Sequence, residues 1–273
     1  MKLEIDEGIR KDETGHYVFD KKFDEITDII ELCTDTSGKV ESDGITCYYG
    51  YEFNTNVDNK TIKEFRDNLK HCLDNNSVFY GDEVFDFVED GLFSLDKYKK
   101  LQDFGVLITV KSTHSGKSLF DMMEYVMSEY NGKDFITLQL IKRLCNDVLF
   151  DKDKARQALR NSQEYKNKSD KKIDFLLNMI EQRFNEEKRK GNVFKIKKYV
   201  PVVARVGFSN FVTFKSKEDE QVYKELEKGT DVLICDDFIT SGSTVKEIKK
   251  YLDIINPNNN VYIFALIKQR ALH

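Results

Sequence analysis

The sequence predicts an α/β protein built on a parallel sheet, and three observations lead there. Two strand–loop–helix units recur, at 105–130 and 231–255. Their opening runs, Gly105-Val106-Leu107-Ile108-Thr109-Val110 and Val232-Leu233-Ile234-Cys235, are continuously apolar rather than alternating, as strands covered on both faces are. Further β-rich runs, 134–141 and 260–267, follow the two units. Strand–helix–strand order then gives parallel neighbours with right-handed crossovers. The expected sheet uses the strands near 105–110, 135–141, 231–236 and 260–267.

The 273 residues are enough for one large or two modest domains, and 40% hydrophobic and 12% aromatic content supports a real core. A net charge of −5 gives no general case for nucleic-acid binding. Cys33, Cys47, Cys72, Cys145 and Cys235 are scattered with no C-x-x-C pair, so they read as reduced thiols of a cytoplasmic protein. Cys235 falls in an apolar strand and reads as core. Met1 to Asp12 is mostly charged, which argues against a signal peptide, and no apolar run reaches membrane-spanning length.

Residues 1–103 read as an N-terminal α+β cap, and 104–273 as the main domain. Phe23, Ile26, Ile29, Ile30 and Cys33 have helical spacing, and Ile45 to Tyr51 is a run of β-formers. Thr61 to Leu73 is expected as a helix, with short helices at Glu83–Val88 and Leu92–Leu101. Tyr48, Tyr49, Tyr51 and Phe53 could stack on a nucleobase. Packing on the following helix is the simpler expectation, because aromatics are ordinary strand residues.

Past the first apolar strand lies the loop Lys111-Ser112-Thr113-His114-Ser115-Gly116. A helix follows over Lys117–Tyr130, with Leu119, Met122, Met123, Val126 and Met127 on its core side. After the 134–141 strand comes a charged segment, about 151–198, with Ile173, Leu176, Leu177, Ile180 and Phe184 at helical spacing. It holds 15 basic and 8 acidic residues, a net +7 against an acidic remainder. It reads as an inserted helical hairpin: either a solvated face, or a basic arm for a protein or nucleic-acid partner. Tyr199–Arg205 and Asn210–Phe214 read as one or two strands, and Glu218–Lys228 as a helix.

The stretch Val232 to Thr244 carries the chemistry. An apolar strand ends in Asp236-Asp237, and a short turn, Phe238-Ile239-Thr240, leads into Ser241-Gly242-Ser243-Thr244. A helix follows, marked by Val245, Ile248, Leu252 and Ile255. A helix N-terminus offers unpaired N–H groups and partial positive charge to a phosphate. Gly242 allows close backbone approach, and Thr240, Ser241, Ser243 and Thr244 add hydroxyl donors. The two carboxylates would repel that phosphate. They suit sugar hydroxyls, or a magnesium ion bridging to a diphosphate. Together these features describe a phosphorylated-sugar site at the carboxyl end of a strand.

This pattern of four apolar residues, two acids, two apolar residues and Thr-Ser-Gly-x-Thr resembles the phosphoribosyl pyrophosphate (PRPP) signature of type I phosphoribosyltransferases. The resemblance implies a parallel-sheet phosphoribosyltransferase-like core carrying the N-terminal cap and the helical insertion. Asp236 and Asp237, the expected catalytic pair, would bind the ribose hydroxyls, and Thr240 to Thr244 the 5′-phosphate. Lys111, Ser112 and Thr113 match in kind the upstream loop that grips pyrophosphate. The implied cofactor is Mg2+, held mainly by substrate oxygens without a protein ligand set. The implied reaction moves phosphoribose to a nitrogen acceptor and releases pyrophosphate. Phe238 is bulkier than the usual aliphatic residue. The insertion stands where the family has a mobile catalytic loop, with Arg205, Lys215 and Lys217 nearby. Because Lys268 to His273 leaves almost no room after the last strand, the hood that recognises the base is expected from residues 1–100 or from another chain of an oligomer, or is missing.

Other readings compete. Lys111 to Ser118 reads K-x-x-x-x-G-K-S, one residue from a Walker A phosphate loop, with Val232–Asp237 as a Walker B strand. Against an ATPase, the first position needs glycine so that backbone can wrap the phosphates. His114 could act in acid–base chemistry, though a solvated polar role is simpler. A third reading is a PRPP- or nucleotide-sensing module without turnover. The Tyr48-Tyr49-Gly50-Tyr51 region together with the split core and long extra segments also resembles accessory effectors of bacterial anti-phage systems, including some encoded beside retron reverse transcriptases.

Overall fold

The computed structural model describes residues 9–11, 17–19, 30–33, 38–42, 45–58, 60–62, 65, 81–111, 117–131, 135–195, 199–239 and 243–268. From the N-terminus, β1 (Ile9–Lys11) and β2 (Tyr17–Phe19) pair antiparallel. β3 (Ile30–Leu32) and β4 (Lys39–Ser42) each pair antiparallel with the long β5 (Ile45–Phe53). Helix α1 (Gly81–Phe93) is followed by 3-10 turns at Ser94–Lys97 and Leu101–Asp103. β6 (Val106–Lys111), α2 (Lys117–Asn131) and β7 (Ile136–Lys142) come next. Then follow β8 (Leu149–Phe150), α3 (Lys152–Asn161), α4 (Asp170–Arg189), a 3-10 stretch Val202–Gly207, β9 (Phe208–Ser209) and β10 (Val212–Phe214). The last described elements are α5 (Lys217–Lys224), β11 (Asp231–Ile239), α6 (Ser243–Ile255) and β12 (Asn260–Lys268).

These elements make an α/β protein with a mostly parallel mixed sheet, as expected. The chain divides into two compact units: residues 1–139, 221–242 and 258–273, and residues 140–220 and 243–257.

In the first unit the strands lie in the order β7-β6-β11-β12-β5-β3, with β4 also against β5. β11 runs parallel to both β6 and β12, and β12 parallel to β5. The first residue of β7, Ile136, donates its N–H to the Gly105 carbonyl just ahead of β6, so those two strands start side by side. All four expected strands are present. The segment expected as a cap supplies a fifth, β5, to the sheet itself.

The core of this unit gathers Phe87, Val88 and Leu92 of α1, Met122, Met123, Val126 and Met127 of α2, and Leu107, Leu233, Cys235, Phe264 and Leu266 of the sheet. Tyr51 and Phe53 of β5 belong to the same cluster. The aromatic strand therefore follows the packing expectation: Tyr49, Tyr51 and Phe53 are 1–3% exposed. Tyr51 stacks on Phe87 at 4.4 Å between ring centroids, and its hydroxyl donates to the Phe87 carbonyl at 3.0 Å. Tyr48 is half-buried against Tyr98 and Tyr262.

β5 and α1 approach closely at two glycines. A Cβ on Gly50 would lie 2.7 Å from the Gly91 Cα and 2.8 Å from its carbonyl oxygen. Backbone cannot swing aside as a side-chain tip can. Gly50→Val is expected to destabilise by roughly 1–3 kcal/mol through overpacking. A thermal melt checks this, and an unchanged midpoint would contradict the contact.

Local expectations fare differently from place to place. The helical spacing through Phe23–Cys33 does not produce a helix at its end. Ile30–Leu32 is strand β3, fixed by its pairing to Tyr51–Phe53 and by the Cys33 N–H on the Gly50 carbonyl at 2.8 Å. Residues 21–29 lie outside the described residues. Of the Thr61–Leu73 helix, residues 60–62 and 65 are described and helical. Asp58 caps it by accepting from the Lys60 and Thr61 N–H groups at 2.7 and 3.0 Å. Finally, Val202–Gly207 is 3-10 rather than strand. Pro201 precedes it without an N–H for a ladder, and Arg205 Nε turns back to the Val200 carbonyl at 3.1 Å.

In the second unit the charged segment forms the expected helical hairpin. Asp151 caps α3 by accepting from the Lys154 N–H at 2.9 Å. Ala155 and Leu159 of α3, and Ile173, Leu177, Ile180 and Phe184 of α4, are the buried residues, at helical spacing. Lys152–Glu181 (2.6 Å), Arg156–Asp174 (2.7 Å) and Arg160–Asp170 pair along the two helices in opposite directions. Partly exposed pairs such as these are each worth under about 1 kcal/mol, but together they set the antiparallel register. They also draw three of the segment's cations onto its own acids. Beneath the hairpin, Phe150, Phe184, Phe194 and Phe208 pack as an aromatic cluster. β10 pairs antiparallel with Leu140–Lys142, the last residues of β7.

Candidate functional site

The first unit brings together two segments whose paired residues, such as Val106 and Val232, lie 126 positions apart in the sequence. β6 and β11 are neighbours in parallel register, with Val232 on Val106 through Cys235 on Thr109. One and two residues beyond the last matched pair are Val110 and Lys111 on β6, and Asp236 and Asp237 on β11. The lysine that opens the upstream loop and the acidic pair therefore reach the same carboxyl edge of the sheet on adjacent strands.

The connections diverge at this point. β6 continues through α2 to β7 on one side, and β11 continues through α6 to β12 on the other. Strand order reverses between β6 and β11. In open α/β sheets such a reversal leaves a crevice beyond the carboxyl ends of the strands, where ligands bind.

The acidic pair does not end its strand. The expected turn at Phe238-Ile239 is strand instead: Phe238 pairs with Ile267 and Ile239 with Lys268, and both are buried. Two apolar side chains gain more from burial beside β12 than from a solvent-facing turn. Phe238 rejoins the core cluster that holds Leu233 and Cys235, where strict alternation would have put Asp237. The phase of the strand thus shifts by one across the acids, and both carboxylates stay half-buried rather than one being forced into the core. The Asp237 N–H donates to Asp236 Oδ1 at 2.9 Å, and the Phe238 N–H to Asp237 Oδ1 at 2.7 Å. Cys235, immediately before them, is a core thiol. Burial, and then the charge of Asp236, hold its pKa far above the ordinary thiol value, so it stays protonated.

Thr240, Ser241 and Gly242, expected to hold a phosphate, lie outside the described residues, as do Ser112, Thr113 and His114 of the upstream loop. Ser243 opens α6, as the sequence pattern requires, and Thr244 is the next residue of that helix. Val245, Ile248 and Leu252 of α6 are buried. Lys117 opens α2. Lys215 and Lys217 are exposed, whereas Arg205 is half-buried and held on the Val200 carbonyl; burial lowers its pKa.

Sequence reasoning missed a second group on the same sheet edge. Lys268 closes β12, in register with Ile239 of β11 and Glu52 of β5. Its ammonium donates to the Tyr49 hydroxyl at 3.0 Å and to Glu52 Oε2 at 3.4 Å, and sits 4.7 Å from the centre of the Tyr49 ring. Burial works against this charge, but Tyr49 and Glu52 outweigh it and raise the lysine's pKa. The available signal was a lone lysine ending an apolar strand. Its partners lie more than 200 residues away and become visible only once β5 joins the sheet.

Among the described residues, no group of three or more His, Cys, Asp or Glu side chains could hold a metal, and no helix is long and apolar enough to cross a membrane. Two half-buried carboxylates on consecutive residues are hard oxygen donors of the kind magnesium accepts when substrate oxygens complete its shell. A scan of protein-family models finds no match to this chain, and a search of curated proteins finds none either.

Proposed function

We propose that this protein is a PRPP-binding phosphoribosyltransferase of the type I fold that moves phosphoribose from Mg-PRPP to a nitrogen acceptor. The observation that carries the reading is the reversal of strand order between β6 and β11, with Lys111 ending one strand and Asp236-Asp237 near the end of the other. In this reading Asp236 and Asp237 accept hydrogen bonds from the ribose hydroxyls. The backbone and hydroxyls of Thr240, Ser241, Gly242, Ser243 and Thr244 hold the 5′-phosphate at the start of α6. Lys111, with Ser112 and Thr113, faces the pyrophosphate.

The reaction breaks the bond from the ribose anomeric carbon to pyrophosphate oxygen and forms one from that carbon to nitrogen; the acceptor then loses its proton. The chain's contribution is orientation, through two anchored ends of the same sugar, and a site where developing charge meets fixed dipoles. Asp236 and Asp237 would lie beside a magnesium ion held mainly by substrate oxygens, and that ion would supply neutralisation of the leaving pyrophosphate. The described cysteines, Cys33, Cys47, Cys145 and Cys235, are buried and are not joined in disulfides.

Pyrophosphate release from Mg-PRPP, screened over nucleobases, ammonia and other nitrogen acceptors, tests the transferase reading. Acceptor-dependent release is expected, and release with none of them would leave a binding module. The Walker-type reading is tested in parallel by ATP hydrolysis with and without Lys117→Ala. The expected result is no turnover that depends on Lys117; turnover lost in that variant would contradict the proposal.

A further inference from the structure

Helix α4 has a second stripe, apolar only at Phe175 and Met179, on the side away from its core. Ile173, Leu177, Ile180 and Phe184 are buried in the hairpin, whereas Phe175 and Met179 are 66% and 51% exposed. At 3.6 residues per turn, Lys172, Phe175, Met179, Arg183 and Glu186 fall along one line of the outward face. An open groove of about 430 Å³ runs beside this line, lined by Leu176, Met179, Arg183, Glu186 and Tyr199 among others. Arg183 is held on the stripe by Glu186 of its own helix at 3.5 Å.

The stripe is complementary to itself when reversed. With a two-fold axis at Met179, each position faces the one equally far along in the other direction. Lys172 then meets Glu186, Phe175 meets Arg183, and Met179 meets its own copy. These are an opposite-charge pair, a cation against a ring and a pair of adaptable thioethers, with the first two occurring twice by symmetry. Parallel pairing would instead set Lys172 on Lys172, Arg183 on Arg183 and Glu186 on Glu186. A nucleic acid fits this face poorly. Its centre is apolar, Glu186 is acidic, and Lys152, Arg156 and Arg160 are already paired within the hairpin.

The geometry points to a homodimer in which α4 packs antiparallel against α4 of a second copy, each Phe175 seated in the other's groove beside Arg183. The interface is isologous and closes on itself, so it stops at two copies. It does not depend on the reaction proposed above.

Sedimentation equilibrium of the full chain tests it. The wild-type protein is expected as a concentration-dependent dimer. Phe175 is largely exposed in a single copy, so Phe175→Glu should leave the fold intact and weaken dimerisation at least roughly tenfold. Lys172→Glu and Glu186→Lys should each weaken it, and the double swap Lys172→Glu/Glu186→Lys should restore it, because the reversed pair again joins opposite charges across the axis. A protein that stays monomeric at all concentrations overturns the inference, including one whose mass rises only with added oligonucleotide. So does a dimer indifferent to Phe175→Glu, or a double swap no tighter than either single variant.

Discussion

Replacing both acids, Asp236→Asn/Asp237→Asn, is expected to abolish measurable binding of Mg-PRPP while leaving the fold intact. Each asparagine keeps an Oδ1 that can accept the N–H of the next residue, so the local bonds at 2.9 and 2.7 Å survive. Both carboxylates are half-buried on β11 and contribute nothing to the apolar core, so the change removes charge without opening a cavity. On the proposed role, what would be lost is the charged acceptor for two ribose hydroxyls. Hydrogen bonds to charged groups are worth about 1.5–3 kcal/mol each, so the affinity should fall at least about 100-fold. Circular dichroism should be unchanged. A double variant that binds PRPP as tightly as the wild type would remove the ribose-binding role.

The largest stability effect is expected at Tyr51. Its ring is buried against Phe87, its hydroxyl donates to the Phe87 carbonyl, and burial raises the phenol's pKa so that it remains a donor. Tyr51→Ala should cost about 3–5 kcal/mol from the lost aromatic volume, lowering the melting temperature by roughly 8–15 °C. Tyr51→Phe keeps the stacked ring and loses one buried hydrogen bond, worth about 1 kcal/mol. The two variants thus separate packing from hydrogen bonding. Equal effects would mean that the ring does not carry the stability of the β5–α1 contact. A small effect of Tyr51→Ala would mean that β5 is not part of the central core.

The sheet was largely legible because its strands are continuous apolar runs. Val106–Val110 and Val232–Cys235 are buried on both faces, and only such strands read without alternation. The hairpin was legible because Ile173, Leu177, Ile180 and Phe184 keep helical spacing through a charged background. The end of β11 was misread because two acids look like a strand terminus. Only the pairing of Phe238 and Ile239 with β12 shows that the strand continues past them. β3 was misread because Ile30 and Cys33 fit a helical period as well as a short edge strand, and long-range pairing to β5 decided between them. β5 was recognised as a strand but assigned to a cap, since no local signal says which sheet a strand joins. The Lys268–Tyr49–Glu52 group followed from that and stayed out of sight with it. At the site itself, the acidic pair and its loop were visible as residue types at fixed spacing. That they share a sheet edge with Lys111 is a matter of strand order, which separation along the chain does not reveal.

The most direct test is isothermal titration calorimetry of the full chain with PRPP, in the presence and absence of magnesium, with ribose 5-phosphate and ATP as controls. The expected result is saturable binding of one PRPP per chain, tightened by magnesium, with weaker binding of ribose 5-phosphate because it lacks the pyrophosphate that Lys111 would face. Absence of PRPP binding, or saturable binding of ATP in its place, would contradict the assignment of this strand edge to a phosphoribosyl pyrophosphate.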